Sequence, residues 1–333
     1  MKEIERAFDG VIGQSEIVKN RIVEHTAFAM GSNDNISVLY GGEAGLGKSR
    51  LLKAEKAARE AAIKIRYNRN PWVENVRSPQ EFRLGGQPFK NLMKTISDGD
   101  GLILDEFHEI DLQSTVQTQT VKKAIKDLLD CNQGHIRRSV LSDNVVISRD
   151  AQSIFFATGS NYVARIVDGA AIVSRFGGAT VLQPYTEEQL AEITLVTAKE
   201  KGVRIHPDTI SLIAKCGRGT ARPMKHIVKY LKQLSIVEKK DTVNRAEVLE
   251  AMRAKGFFPF GLTRREVQFL QKGVAGVRVR ELPALFGAET REVNDSISFL
   301  GAYGFISLRM GVCQTTGKGI DLLEQMKKEK FLK

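Results

Sequence analysis

Along the first half of the chain, short apolar runs alternate with stretches whose apolar residues recur every three or four positions. Ile36 to Tyr40, Gly101 to Leu104, Ser153 to Thr158 and Ala179 to Leu182 have the length and the β-branched or aromatic content of buried strands. Ile63-Lys64-Ile65-Arg66-Tyr67 alternates apolar with polar and reads as one more strand. Between these runs, Ile17, Val18, Ile22 and Val23 mark one helix, and Leu51, Ala54, Ala58 and Ala61 a second. A third spans residues 112–129 on Val116, Val121, Ala124, Leu128 and Leu129. Strands separated by helices predict an α/β fold with a parallel sheet and its chemistry at the C-terminal ends of the strands. Residues 135–149 break this rhythm: two short arms around Ser142-Asp143-Asn144 read as a hairpin. Asn68 to Phe89 has no clear period, and its lone Trp72 is expected to pack in a core.

After Gln183-Pro184-Tyr185 the strand signal stops. Helix starts are predicted at Thr186, with Gln189 three residues on, at Pro207-Asp208 and between Thr220 and Pro223, with stops at Gly202 and Gly217. Gly256 to Gly261 then forms a second junction. Thr263 and Glu266 make a capping box, followed by a short helix near Glu281 to Phe286, a turn at Gly287 and an amphipathic helix from Arg291 to Tyr303. Phe305 to Met310, Gly311, Val312 to Thr316 and Gly317-Lys318-Gly319 read as a two-stranded wing. The expected organisation is an α/β domain over 1–183, a small helical domain over 184–256 and a winged helix-turn-helix over 257–333.

Charge sharpens the last assignment. The chain carries a net +11, and residues 184–333 hold 26 Lys and Arg against 17 Asp and Glu, while residues 1–183 hold 24 against 22. A basic C-terminal part favours a polyanion such as DNA. In a winged helix Val293, Ile297 and Leu300 would face the core, leaving Arg291 and Asn294 for a groove and Arg309 and Lys318 for the backbone. Winged helices also serve as protein contacts, so a polypeptide partner is the alternative. The N-terminal residues Met1 to Arg6 lack the apolar core of a signal peptide, no apolar run is long enough for a membrane span, and three cysteines stand far apart. A cytoplasmic protein with no membrane partner is expected.

The chemistry is concentrated in two places. Gly42-Glu43-Ala44-Gly45-Leu46-Gly47-Lys48-Ser49 fits the phosphate-binding pattern G-x-x-x-x-G-K-[ST], between a strand and a helix. Glycines let successive backbone N–H groups curl around phosphate oxygens, Lys48 places a charge on the β- and γ-phosphates, and the Ser49 hydroxyl ligates Mg²⁺. The apolar run from Gly101 ends in Asp105-Glu106. Beside a phosphate loop, Asp105 would hold the metal and Glu106 would deprotonate the attacking water. These residues predict a nucleotide-hydrolysing site that uses Mg²⁺.

Taken in order, these motifs resemble the RuvB family of Holliday-junction branch-migration motors, AAA+ ATPases with a C-terminal winged helix. Phe8-Asp9-Gly10-Val11-Ile12-Gly13-Gln14 is similar to that family's adenine-side segment, which makes Val11 and Ile12 nucleotide contacts, and Asp105-Glu106-Phe107-His108 is similar to its Asp-Glu-x-His. Ser174-Arg175-Phe176-Gly177 is similar to its Arg-Phe-Gly, and Arg218-Gly219-Thr220-Ala221-Arg222 to its Arg-Gly-Thr-Pro-Arg. The resemblance implies that Arg175 is an arginine finger offered to a neighbouring subunit's γ-phosphate and that Arg222 touches the phosphates of its own subunit. It further implies a ring, hexameric in the family, that works on branched or duplex DNA. Three departures stand out. Gly159 follows Ala157-Thr158 where the family has a threonine sensor, so the role passes to Thr158 or, preferably, Asn161, whose amide can orient water and contact phosphate. Ala221 replaces a proline. The hairpin over 135–149, where the family binds its accessory junction-binding protein, carries Arg137 and Arg138 in no familiar motif. A replication initiator or helicase loader that uses ATP as a switch and an ATP-driven protein remodeller are the competing classes.

Overall fold

The computed structural model describes residues 1–34, 36–70, 73–76, 99–105, 135–136, 147–148, 153–157, 174, 176 and 178–332. The chain divides into two compact units, Met1–Tyr185 and Thr186–Lys333.

The first unit is built on a parallel sheet. Its strands are β1 (Ile36–Gly41), β2 (Val73–Val76), β3 (Gly101–Leu104), β6 (Ser153–Ala157) and β7 (Ala179–Val181), arranged in the order β2-β3-β6-β1-β7. All four adjacent pairs are parallel, with Ile36 opposite Ser153 and Leu39 opposite Ala179. Two short antiparallel segments, β4 (His135–Ile136) and β5 (Ile147–Ser148), pair in the register His135↔Ser148 where a hairpin was predicted. Helix α3 (Lys48–Tyr67) packs on the sheet, and α1 (Lys2–Arg6) and α2 (Ser15–Ala29) pack on α3. Ile4, Phe28, Val38, Leu51, Ala58 and Ile63 lie in one core with Tyr40 and Leu182.

One sequence expectation fails here. Ile63 to Tyr67 is the last turn and a half of α3, and the following strand is Val73–Val76. The buried positions of α3 are Lys48, Leu51, Leu52, Ala54, Glu55, Ala58, Arg59, Ala62 and Ile63, a helical repeat into which Ile63 falls, while Ile65 points outward. The helix stops at Asn68, in the left-handed conformation that Asn tolerates. The predicted helix over 112–129 and the side chain of Trp72 lie outside the described residues.

The second unit begins with α4 (Glu187–Lys201), capped by a reciprocal box between Thr186 and Gln189 and closed by Gly202 at φ +64°. Helices α5 (Pro207–Lys215), α6 (Arg222–Val237) and α7 (Arg245–Ala254) follow. Strands do not vanish: β8 (Arg204–Ile205) and β9 (Thr242–Val243) form a two-residue parallel pair, too short to show a period. Next come a 3₁₀ turn (Pro259–Gly261), α8 (Arg264–Gly273), capped by Thr263 and Glu266, α9 (Leu282–Phe286) and α10 (Thr290–Ala302). A three-stranded antiparallel sheet of β10 (Val277–Arg278), β11 (Ile306–Arg309) and β12 (Val312–Thr315) is ordered β10-β12-β11. The predicted continuation of the wing through Gly317-Lys318-Gly319 is corrected: Thr316 caps a helix, α11 (Gly317–Lys328), and Lys318 sits in its first turn. Its Ser/Thr-capped start was hidden because two glycines read as a turn. Val293, Ile297 and Leu300 are buried with Phe269, Phe305 and Leu322. Among the described residues no helix is long and apolar enough to cross a membrane.

Candidate functional site: a phosphate loop and a strand-end carboxylate

The loop leaving β1 turns on glycines. Gly42, Gly45 and Gly47 have φ of +144°, +94° and +92°, conformations that a side chain disfavours, and they raise consecutive backbone N–H groups toward the start of α3. Gly47 is required twice over, since a Cβ there would stand 2.4 Å from the Tyr185 hydroxyl. That hydroxyl donates to the Leu46 carbonyl at 2.8 Å and pins the loop to the end of the unit. Lys48 is mostly buried, and its ammonium donates to the carbonyls of Gly42 (2.7 Å) and Glu43 (2.8 Å), which holds its charge inside the curl of the loop. Ala44 completes the loop.

The deciding contact joins two parts of the chain 56 residues apart: Ser49 Oγ donates to Asp105 Oδ2 at 2.6 Å. Asp105 follows β3 and the loop follows β1, with β6 lying between those strands. A hydroxyl and a carboxylate meet at the C-terminal edge of a parallel sheet and could supply two oxygens of a metal shell. Mg²⁺ takes such a shell, filling the rest with water and phosphate oxygens. Among the described residues no cluster of three or more His, Cys, Asp or Glu could hold a metal by itself. The donors present therefore fit a metal shared with a phosphate.

The segment around Gly10 and Gln14 is fastened to the start of α3 and to Gln183. Arg50, two residues past Lys48, donates through Nε to the Gly10 carbonyl at 3.2 Å, and a Cβ on Gly10 would collide with its guanidinium. Gln14, in the left-handed region, exchanges amide hydrogen bonds with Gln183 at 2.8 and 3.3 Å. Val11 packs on the core, and Ile12 is half-buried between these two tethers.

Between α2, β1 and α3 lies a set of buried charges that sequence reasoning missed. Glu55, wholly buried on α3, accepts from Arg21 Nε at 2.9 Å, from His25 Nε2 at 2.6 Å and from the Tyr40 hydroxyl. Burial alone would push the Glu55 carboxyl up, but the His25 hydrogen bond and the Arg21 charge outweigh it and hold the group below its ordinary 4.5. Burial drives the His25 imidazole below its ordinary 6.5, against the pull of Glu55 and with the help of Arg21 and Arg59. Desolvation also lowers the Arg59 guanidinium to about 9, where it lies 3.3 Å over the Phe28 ring. The clue in the sequence was Glu55 and Arg59 in the apolar register of α3. Tyr185 and Gln183 left no such clue.

The other predicted residues belong to the second unit or lie outside the described residues. Arg222 is exposed at the first position of α6 in the second unit. Arg291 and Asn294 are exposed on α10 and Arg309 is exposed on β11. Lys318 donates to the Tyr303 carbonyl at 2.7 Å from α11, away from the wing position predicted for it. Glu106, Thr158, Asn161, Arg175, Arg137 and Arg138 lie outside the described residues.

No protein-family model matches the chain. Curated relatives do. The chain is 24% identical over 271 residues to the Holliday junction branch migration complex subunit RuvB of Campylobacter hominis, covering 80% of this chain and 72% of that one. It is 23% identical to the RuvB of Campylobacter fetus over 318 residues, covering 94% and 84%. In structure it is similar to the Thermotoga maritima RuvB R170A variant, with a TM-score of 0.60 at 22% identity over 95% of this chain and 96% of that one. The chain is similar to RuvB over most of its length and shares its fold. The likeness to RuvB extends across both units, and a DNA-bound Aeropyrum pernix ORC1 shares the fold at a TM-score of 0.53 and 16% identity.

Proposed function

We propose that this RuvB-like chain is the ATPase subunit of a ring-shaped DNA motor that drives branch migration, moving on branched or duplex DNA. The observation that carries this reading is the 2.6 Å contact between Ser49 and Asp105 at the mouth of the phosphate loop, in a chain whose relatives are named as branch-migration subunits. ATP is the fuel, and Mg²⁺ bound at Ser49 and Asp105 would neutralise charge on its phosphates. The loop amides and Lys48 hold those phosphates, while Val11 and Ile12 line the adenine side. Glu106, next in sequence to Asp105, takes the proton of the attacking water. Asn161, or else Thr158, orients that water in place of the sensor residue that Gly159 replaces.

The assembly reading follows from the arginines. Arg175 completes a neighbour's site and Arg222 reports on phosphates within its own subunit, so hydrolysis requires a ring, six-membered as in the resemblance. We read 1–183 as the AAA+ ATP-binding domain, 184–256 as its helical lid and 257–333 as a winged helix. In that last domain Arg291 and Asn294 on α10 face a groove, and Arg309 with Lys318 meet the DNA backbone. The short β4–β5 pair is the place for an accessory junction-binding protein, and the cytoplasm is where such a motor works.

Nucleotide binding and turnover separate the roles. Lys48→Ala is expected to lose ATP binding, whereas Glu106→Gln should bind ATP and turn over at least about a hundredfold more slowly. Mixing Arg175→Ala with Lys48→Ala subunits should restore part of the activity, because some interfaces regain both halves of a site. Wild-type turnover by Glu106→Gln, or no recovery in the mixture, removes those assignments. An initiator or loader would bind ATP and DNA yet show no sustained DNA-stimulated turnover. A remodeller would not bind DNA even at low salt.

A further inference from the structure

Of the segment Arg218-Gly219-Thr220-Ala221-Arg222, the reading above uses only its last residue. Arg218 is built into the second unit with more care than a surface arginine needs. It is a non-glycine residue at φ +48°, a conformation that costs an ordinary side chain energy. Its Nη1 donates to Glu266 Oε2 at 2.9 Å, and its guanidinium carbon sits 3.5 Å over the centre of the Phe299 ring. Glu266 is almost fully buried, and the same oxygen accepts from the Thr263 N–H at 2.8 Å and from the Thr263 hydroxyl at 3.0 Å, so it also caps α8. Phe299 belongs to α10, the helix that carries Arg291 and Asn294. One guanidinium thus touches two helices of the candidate winged helix, α8 and α10.

The turn that bears Arg218 has little slack. A Cβ on Gly217 would stand 2.7 Å from the Thr220 carbonyl oxygen. One on Gly261, at φ +67°, would stand 2.7 Å from the Cys216 carbonyl oxygen and 2.8 Å from Arg218 Cγ. The turn is therefore packed against residues 259–261 with no room for side chains, and at its far end Arg222 starts α6. Only Gly219, Thr220 and Ala221 lie between Arg218 and Arg222, which leaves little chain to absorb a shift of Arg222.

We propose that Arg218 is a positioning residue that passes the nucleotide state sensed at Arg222 to α8 and α10, so that DNA engagement and ATP turnover are coupled through the Arg218–Glu266–Phe299 contact. This rests on the roles given above to Arg222 and α10. The physical basis is directional: a charge-assisted hydrogen bond to a buried carboxylate and a stacked guanidinium fix orientation as well as distance, which a single nonpolar contact would not.

Two variants probe the contact without removing structure. Arg218→Lys keeps the charge and loses the planar fork and the stack. Glu266→Gln keeps a residue competent for the capping box and loses the ion pair. ATP affinity, basal turnover, DNA affinity without nucleotide, and turnover stimulated by a four-way junction are measured on the full-length wild type and both variants. The first three should stay within about twofold of wild type while junction stimulation falls roughly tenfold in each variant, and the double variant should be no worse than the weaker single one. Full stimulation in both variants overturns the proposal. So does a parallel loss of DNA affinity, which would make the contact a structural brace. If the wild type itself shows no junction-stimulated turnover while binding ATP, the motor reading falls and takes this coupling with it.

Discussion

In the first unit a buried carboxylate on the helix that follows the phosphate loop, Glu55, is held by Arg21, His25 and Tyr40 from two other elements. In the second unit the buried carboxylates Glu247 and Glu266 sit three residues into helices and accept from the backbone of Asn244 and Thr263 at the helix start. All three carboxylates are desolvated, but they are satisfied differently. Glu247 is held by its own helix end and by Lys240 seven residues away, so it is a local device. Glu266 adds to its cap a hydrogen bond from Arg218, 48 residues away. Glu55 depends wholly on side chains of α2 and β1, so its loss is felt in α2, β1 and α3 together. Charge buried for tertiary reasons is therefore expected to be far more sensitive than charge buried at a cap.

The largest expected effect breaks the first arrangement. Glu55→Gln leaves Arg21 without its buried counter-charge and should lower the stability of the first unit by about 3–5 kcal/mol, read as a drop in its urea unfolding midpoint. A loss equal to that of a cap variant would erase the distinction between the units. Acid gives the next largest effect, with its sign fixed by two groups. His25 and Glu55 both have folded values below their ordinary 6.5 and 4.5, so the unfolded chain binds more protons in that range. Their stability is fully present above pH 6.5 and is lost as pH falls, first through His25 and then through Glu55. Urea midpoints of the first unit should fall below pH 6.5, and His25→Gln should remove the earlier part of that fall. A midpoint that rises on acidification would show that His25 is charged in the folded state. The smallest effect belongs to the second unit: Thr186→Ala removes the hydroxyl that accepts from Gln189 N–H and should cost about 1 kcal/mol, confined to α4 and visible as faster amide exchange in its first turn.

The same contrast explains what could be read from the sequence. The phosphate loop was legible because its chemistry is made by backbone and by adjacent residues, so a contiguous pattern encodes it whole. The caps at Thr186 and Thr263 were legible for the same reason, since a box spans only four residues. Ile63 to Tyr67 was misread because a five-residue window fits period 2 while the twenty-residue helix around it fits 3.6. The Gly10–Arg50 and Tyr185–Leu46 tethers depend on residues 40 and 139 positions apart and leave no local mark. Lys318 was assigned to a wing because Gly317 and Gly319 suggested a turn. In fact Gly319 lets the chain pass where a Cβ would lie 2.4 Å from the Phe305 carbonyl oxygen.

The claim that the Ser49–Asp105 site powers movement on DNA is tested most directly by the dissociation of a labelled four-way junction, followed with purified protein, Mg²⁺ and either ATP or a non-hydrolysable analogue. The account predicts that duplex products accumulate with ATP alone, and that Lys48→Ala yields none. Equal product formation with the analogue, or steady ATP consumption on bound junction with no product at all, would contradict it.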